Sequence, residues 1–139
     1  MASSVKYKSK LERINAEHLE EQGVEYLYEP KEAKIKYVKP ASIHTYNPDL
    51  PIKTKGTGKI IFIETKGIWD YNDRLKHAFI KTQYPTLDIR FVFTRSATKT
   101  SKGAKQSYAD ICEGRGRGIF KGMTWQYADK KVPLEWINE

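Results

Sequence analysis

The chain has 139 residues, enough for one domain with a moderate core. Hydrophobic residues at 39%, charged residues at 30% and a mean hydropathy of -0.69 fit a soluble globular protein and exclude a disordered one. The net charge of +8 and pI near 9.5 point to an anionic partner.

No apolar stretch approaches the ~20 residues needed to cross a bilayer. The opening Met1-Ala2-Ser3-Ser4-Val5-Lys6 lacks the apolar segment of a secretory signal, so the protein is expected to stay where it is made. A membrane-surface role would need a basic amphipathic helix with a large apolar face, and none is apparent. The lone Cys112 excludes an intrachain disulfide and a Cys-rich zinc site.

In chain order, Leu11 to Gln22 reads as a helix with a partial apolar stripe of Leu11, Ile14 and Leu19 and a stop at Gly23. Ser9 and Glu12 fit a capping box, although a carboxylate in the first turn behind a basic arm also suits a metal ligand near an anionic partner. Strands are expected at Glu25 to Tyr28 and Ala33 to Val38.

The next segment carries the chemistry. Residues 59 to 66, Lys-Ile-Ile-Phe-Ile-Glu-Thr-Lys, have the length and composition of a buried strand. Strand alternation sends Glu64 and Lys66 to one side, about 7 Å apart along the backbone. Pro48 biases Asn47 toward extended geometry, so Tyr46 to Ile52 can form the neighbouring strand or bend of a hairpin turned at Gly56-Thr57-Gly58. Asp49 then lies beside Glu64, where two hard oxygen ligands can share Mg²⁺, and Lys66 faces a reacting phosphate. Lys66 would supply fixed positive charge, or act on the water if burial lowers its pKa. The same residues also suit ordinary turn chemistry and a solvated charge pair, so the pattern alone leaves both open.

Farther on, Asn72 to Gln83 reads as a helix with Leu75, Phe79 and Ile80 inward, Asp88 to Thr94 as a strand, and Lys105 to Glu113 as a helix in which Cys112 packs. Gly114 to Gly118 reads as a flexible break, and Val132 to Ile137 as a closing turn with Trp136 in the core. His18, His44 and His77 show no metal-ligand spacing and are expected to be structural, with His44 near enough to Asp49 to orient a metal ligand.

The positive charge falls in groups: Lys6, Lys8 and Lys10; Lys31, Lys34, Lys36 and Lys39; Arg95, Lys99, Lys102 and Lys105; Arg115, Arg117 and Lys121. Basic loops with small polar residues suit phosphate contact without reading base sequence. Lys6, Lys8, Lys10, Arg74, Lys76, Arg95, Lys99, Lys102 and Lys105 are the DNA-contact candidates.

A longer pattern then emerges. Tyr7-Lys8-Ser9-Lys10-Leu11-Glu12, Pro40-Ala41-Ser42-Ile43-His44-Thr45-Tyr46-Asn47-Pro48-Asp49 and Phe62-Ile63-Glu64-Thr65-Lys66-Gly67-Ile68-Trp69 closely resemble the phage endonuclease I family, the Holliday-junction resolvases of T-odd phages. The likeness continues, collinear, through Asp73-Arg74-Leu75-Lys76-His77, residues 87 to 93, Ser107-Tyr108 and residues 132 to 137. It covers almost the whole chain.

The resemblance implies an α/β fold, a mixed β-sheet flanked by helices with a PD-(D/E)xK restriction-endonuclease-like core. It implies a structure-selective endonuclease that resolves four-way and other branched DNA junctions with Mg²⁺, for which Mn²⁺ can substitute. Carried over by position, Glu12, Asp49, Glu64 and Lys66 form the catalytic set; Glu12, Asp49, Glu64 and the Thr65 backbone carbonyl are the metal ligands. An intertwined homodimer is also implied: residues 1 to 38 exchange between subunits, 39 to 45 connect, and 46 to 139 form the catalytic core of one nuclease domain. Glu12 would then complete the site of the other subunit, in the cytoplasm of an infected bacterial host.

Three departures stand beside the likeness. Leu50 replaces an expected aromatic residue, the region from 114 to 124 looks longer, and the basic C-terminal extension of some members is not seen before Glu139, so affinity and salt response are expected to differ. The alternatives are a PD-(D/E)xK nuclease that cuts duplexes at a defined sequence and a non-catalytic branched-DNA-binding module.

Overall fold

The computed structural model describes residues 7–27, 34–39 and 42–139. Its elements, in chain order, are α1 (Lys10–Glu21), β1 (Ile35–Lys39), β2 (Ser42–Tyr46), β3 (Leu50–Lys53), β4 (Ile60–Lys66), α2 (Tyr71–Gln83), β5 (Ile89–Phe93), α3 (Tyr108–Cys112), β6 (Glu113–Arg115), β7 (Lys121–Thr124), β8 (Tyr127–Asp129) and α4 (Leu134–Ile137). This is the mixed α/β architecture the sequence implied. Among the described residues no helix is long and apolar enough to cross a membrane.

One mixed sheet runs in the order β3, β4, β5, β8. β3 and β4 form an antiparallel hairpin, whereas β4, β5 and β8 are parallel neighbours. Parallel pairing needs a crossover, and α2 supplies it between β4 and β5. Two smaller hairpins, β1 with β2 and β6 with β7, lie outside this sheet among the described residues.

Side-chain alternation builds a core on each face of the sheet. Ile61 and Ile63 of β4 and Val92 of β5 pack with Leu50 and Ile52 against Ala16 and Leu19 of α1 and Trp136 and Ile137 of α4. Phe91 and Phe93 pack the other way, with Trp69, Ala78, Tyr108, Ile111 and Trp125, while Phe62 joins Ile80, Ile89 and Tyr46. β5 is buried at every residue because both faces are covered. Cys112 is buried as a packing residue, as expected.

Several predicted elements are redrawn. At Tyr26 there is a single bridge to Ile52 rather than a strand over Glu25 to Tyr28, and Tyr28 lies outside the described residues, as do Lys6, Lys31 and Ala33. The third helix begins at Tyr108, not Lys105, because Ser107 and Asp110 close a reciprocal capping box there. The expected flexible break after Glu113 is ordered: β6 pairs with β7, and an added Cβ at Gly116 would lie 2.6 Å from Phe120 Cβ. The glycine therefore permits close packing rather than motion. The closing turn is the short helix α4, with Trp136 buried as expected.

Arg90 ties the end of the chain to the sheet. Although almost fully buried, it donates to Asp88 at 2.8 Å and to Glu139 at 2.8 Å, and stands 5.3 Å over the Trp136 ring. Lys55 and Thr57 in the β3–β4 turn donate backbone bonds to Ile137 and Glu139, each at 2.8 Å. An added Cβ at Gly56 would sit 2.4 Å from the Glu139 carbonyl oxygen. We expect Gly56→Ala to lower thermal stability by roughly 1–3 kcal/mol through this overpacking, whereas Gly67→Ala, meeting only Thr94 Oγ1 at 3.8 Å, leaves it nearly unchanged. Equal melting temperatures for the two variants would contradict the docking described.

Candidate active site

Pro48 and Asp49 lie in the corner between β2 and β3. The register Leu50↔Ile63 sets Asp49 next to Glu64, as the hairpin reasoning required. The Asp49 amide faces Glu64 Oε2 at 3.4 Å, while Asp49 Oδ2 accepts from the Thr65 amide at 3.1 Å and the Thr65 hydroxyl at 3.0 Å. Tyr46, fully buried at the end of β2, donates its hydroxyl to Glu64 Oε2 at 2.6 Å.

Glu64 and Lys66 do leave the sheet together: Lys66 Nζ is 3.3 Å from Glu64 Oε1. Its other partner, Asp73 Oδ2 in the first turn of α2, is closer at 2.7 Å. Burial pulls the Lys66 pKa down, but Glu64, Asp73 and Asp49 outweigh it and the net shift is upward. In the metal-free protein these carboxylates therefore favour the Lys66 ammonium.

Asp49 shows the opposite imbalance. Burial, then the Glu64 carboxylate, then Glu12 push it up to about 8, against the opposing pull of Lys66 and the Thr65 amide. Glu12 belongs to this electrostatic neighbourhood within a single chain. It is 6% exposed on α1, with its amide capped by Ser9 Oγ at 3.1 Å and its Oε1 3.5 Å from that hydroxyl.

Glu12, Asp49, Glu64 and the Thr65 carbonyl are hard oxygen donors of the kind divalent cations take. Among the described residues no three acidic, His or Cys groups converge into a ready-made metal cage. The donor chemistry nevertheless fits a dication, because Asp49, raised to about 8 by burial first and then by Glu64 and Glu12, sits where added negative charge is disfavoured and a cation would be welcome.

Three surrounding residues escaped the sequence reading as parts of the site: Tyr46, Asp73 and His77. His77 is completely buried, 3.9 Å from Asp73, edge-on to Tyr46 and Phe91, and its two ring nitrogens have no hydrogen-bond partner. Burial first, then Lys66 and Lys76, hold its pKa well below the usual value, so it is neutral. The signal was available, since Asp73 and His77 are four residues apart on one face of a predicted helix. His44, the candidate for orienting a ligand, stacks on Tyr37 at 5.5 Å.

The DNA-contact candidates separate by position. Lys76 stands 5.1 Å over the Tyr46 ring, beside the site. Arg74 is corrected: it is 7% exposed and donates to the Trp69 carbonyl, so its guanidinium serves the core. Lys8 and Lys10 lie at the start of α1, and Arg95, Lys99, Lys102 and Lys105 are exposed on the loop after β5, where Lys99 Nζ donates to the Lys105 carbonyl.

The Asp49 shift has a thermodynamic sign. Its pKa is raised above the ordinary 3.8, so the folded, metal-free protein keeps a proton that the unfolded chain releases. The corresponding stability is complete below about pH 4 and is lost as pH rises through about 8, with a limiting slope of about 1.4 kcal/mol per pH unit. Melts in EDTA between about pH 5 and about pH 8 should fall less steeply for Asp49→Asn than for the wild type. Parallel curves would contradict the crowded-carboxylate account.

The chain has relatives among known proteins. The whole chain, residues 1–139, matches the family described as Phage endonuclease I. It is 44% identical over 133 residues to "Endonuclease I" of Escherichia phage T7, covering 96% of this chain and 79% of that protein. It is 40% identical over 133 residues to "Endodeoxyribonuclease 1" of Enterobacteria phage T3, covering 96% and 78% respectively. On the full-length match and these two relatives, the chain belongs to the phage endonuclease I family.

Proposed function

We propose that this protein is a structure-selective DNA endonuclease that resolves four-way and other branched junctions by Mg²⁺-dependent phosphodiester hydrolysis, with Mn²⁺ able to substitute. The observation that carries the reading is the buried corner itself, where Asp49 and Glu64 stand together beside the Lys66 ammonium. The family and the two phage relatives support DNA hydrolysis as the class of reaction.

Bound Mg²⁺ would lower the pKa of a ligated water and withdraw charge from the phosphate. The remaining roles fall to the chain. Glu12, Asp49, Glu64 and the Thr65 carbonyl would hold the ion, with Tyr46 orienting Glu64 and the Thr65 amide and hydroxyl orienting Asp49. Lys66, kept protonated, presents positive charge to the phosphate as negative charge builds in the transition state. Asp73 holds that ammonium from behind.

A four-way junction must be nicked on two strands, which suits a homodimer with two sites. We propose that it is intertwined, with the N-terminal part exchanged about the segment from 39 to 45. The β1–β2 hairpin is the chain's link between α1 and the core, so opening it would let α1 fill the equivalent place on another subunit. Glu12 would then act in trans.

With a labelled four-way junction and Mg²⁺, we expect paired nicks that excess linear arms compete away poorly, and a loss of about 100-fold or more for Glu64→Ala or Lys66→Ala. No cleavage, or the same cleavage by Glu64→Ala, would overturn the enzymatic reading; equal competition by linear arms would overturn the selectivity. For the dimer, mixing Glu12→Ala and Asp49→Ala subunits under exchange should restore nicking at one site per heterodimer. Failure to restore any would place both residues in one chain.

A further inference from the structure

A groove of about 420 Å³ lies between the first turns of α1 and the loop after β8, lined by Lys10, Leu11, Ile14, Thr94, Lys130 and Lys131. We propose that it binds the DNA strand that flanks the cleaved phosphate, with Lys130 and Lys131 as backbone-phosphate ligands. The proposal rests on the endonuclease reading above and extends it to residues that the charge groups in the sequence did not single out.

Position is the first support. The Thr94 amide donates to the Lys66 carbonyl at 3.1 Å, so the groove begins where the catalytic strand ends. Lys10, on the opposite wall, is two residues before Glu12. A strand leaving the Asp49–Glu64–Lys66 corner by this route passes directly between the lysines.

Backbone geometry is the second. Lys130 has φ +71 and is the only non-glycine with positive φ among the described residues. An L side chain is disfavoured there, and glycine is the usual occupant. The conformation is held from several sides: the Lys130 amide donates to the Phe93 carbonyl at 2.7 Å, and Asn15, wholly buried on α1, grips the loop with both ends of its amide. Asn15 Nδ2 donates to the Lys130 carbonyl at 3.0 Å, and its Oδ1 accepts from the Val132 amide at 3.0 Å. His18 of the same helix meets the Val132 carbonyl at 2.9 Å. A buried clamp thus sets two adjacent lysines beside the groove.

Charge is the third. Lys10, Lys130 and Lys131 are exposed, and none takes part in an ion pair among the described residues, unlike Lys59, Lys66, Arg90 and Arg115. Asp129, the acid next to them in sequence, accepts from the Ser96 amide at 2.9 Å instead. Leu11 and Ile14 give the groove an aliphatic wall. Cationic rims over an apolar wall match a sugar–phosphate chain, whose deoxyribose faces are apolar and whose phosphates are anionic, and they read no base sequence.

The test uses Lys130→Gly, which relieves the backbone conformation while removing the ammonium, and Lys131→Gln. Binding of a fluorescent four-way junction is measured in Ca²⁺ across a salt series, with thermal melts alongside. The double variant should melt no lower than the wild type yet bind roughly tenfold more weakly, with a log K against log salt slope shallower by about two contacts. Lys53→Gln with Lys55→Gln, on the β3–β4 turn, should change neither. Wild-type binding equalled by the Lys130→Gly/Lys131→Gln protein overturns the groove alone, as does a weakening no greater than that of the turn variant. A wild type that binds no DNA overturns the endonuclease reading and the groove with it.

Discussion

Negative charge packed into a sheet corner is the constraint on which the rest of this structure depends. Asp49 and Glu64 come together because β3 and β4 are hairpin neighbours, and Glu12 of α1 adds a third carboxylate to the field. Lys66 offsets part of it from within, but Lys66 is itself shared with Asp73. Burial and this charge together favour a proton on Asp49, and a dication is the chemical alternative to that proton.

Such a corner needs rigid support, which the fold supplies from both faces. Apolar residues of α1 and α4 close one side of the sheet and the aromatic cluster around Trp69 and Phe91 the other. Tyr46 shows how packing and chemistry meet in one side chain: its ring belongs to the core while its hydroxyl orients Glu64. α1 has a double part, bringing Glu12 to the corner with one residue and fastening the loop from 130 to 132 with another, Asn15. Exchange of α1 between subunits would carry both contributions together.

The parts legible in the sequence were those with strong local signals. β4 and β5 are dense in β-branched and aromatic residues, α2 has helical spacing, and Pro48 marks its corner; all lie within a residue or two of the expected limits. β7 and β8, with sequences Lys-Gly-Met-Thr and Tyr-Ala-Asp, carry no such pattern and owe their strands to their partners, β6 in a local hairpin and β5 from far earlier in the chain. Residues 114 to 118 misled because turn glycines need not be mobile: Gly114 and Gly118 take positive φ within an ordered segment, and Gly116 answers the close approach of Phe120. Arg74 misled because charge says nothing about direction, and the helix turns it inward. The Asp73 contact to Lys66 joins a helix to a strand and was hidden until both were placed.

Metal binding here should displace the proton that burial and the neighbouring carboxylates favour on Asp49. Calorimetric titration of Mg²⁺ near pH 7, in two buffers of different ionisation enthalpy, counts the protons released per ion bound. The account predicts release approaching one proton for the wild type and none attributable to this site for Asp49→Asn, with weaker binding in the variant. Mg²⁺ binding without proton release, or binding unchanged by Asp49→Asn, would contradict it.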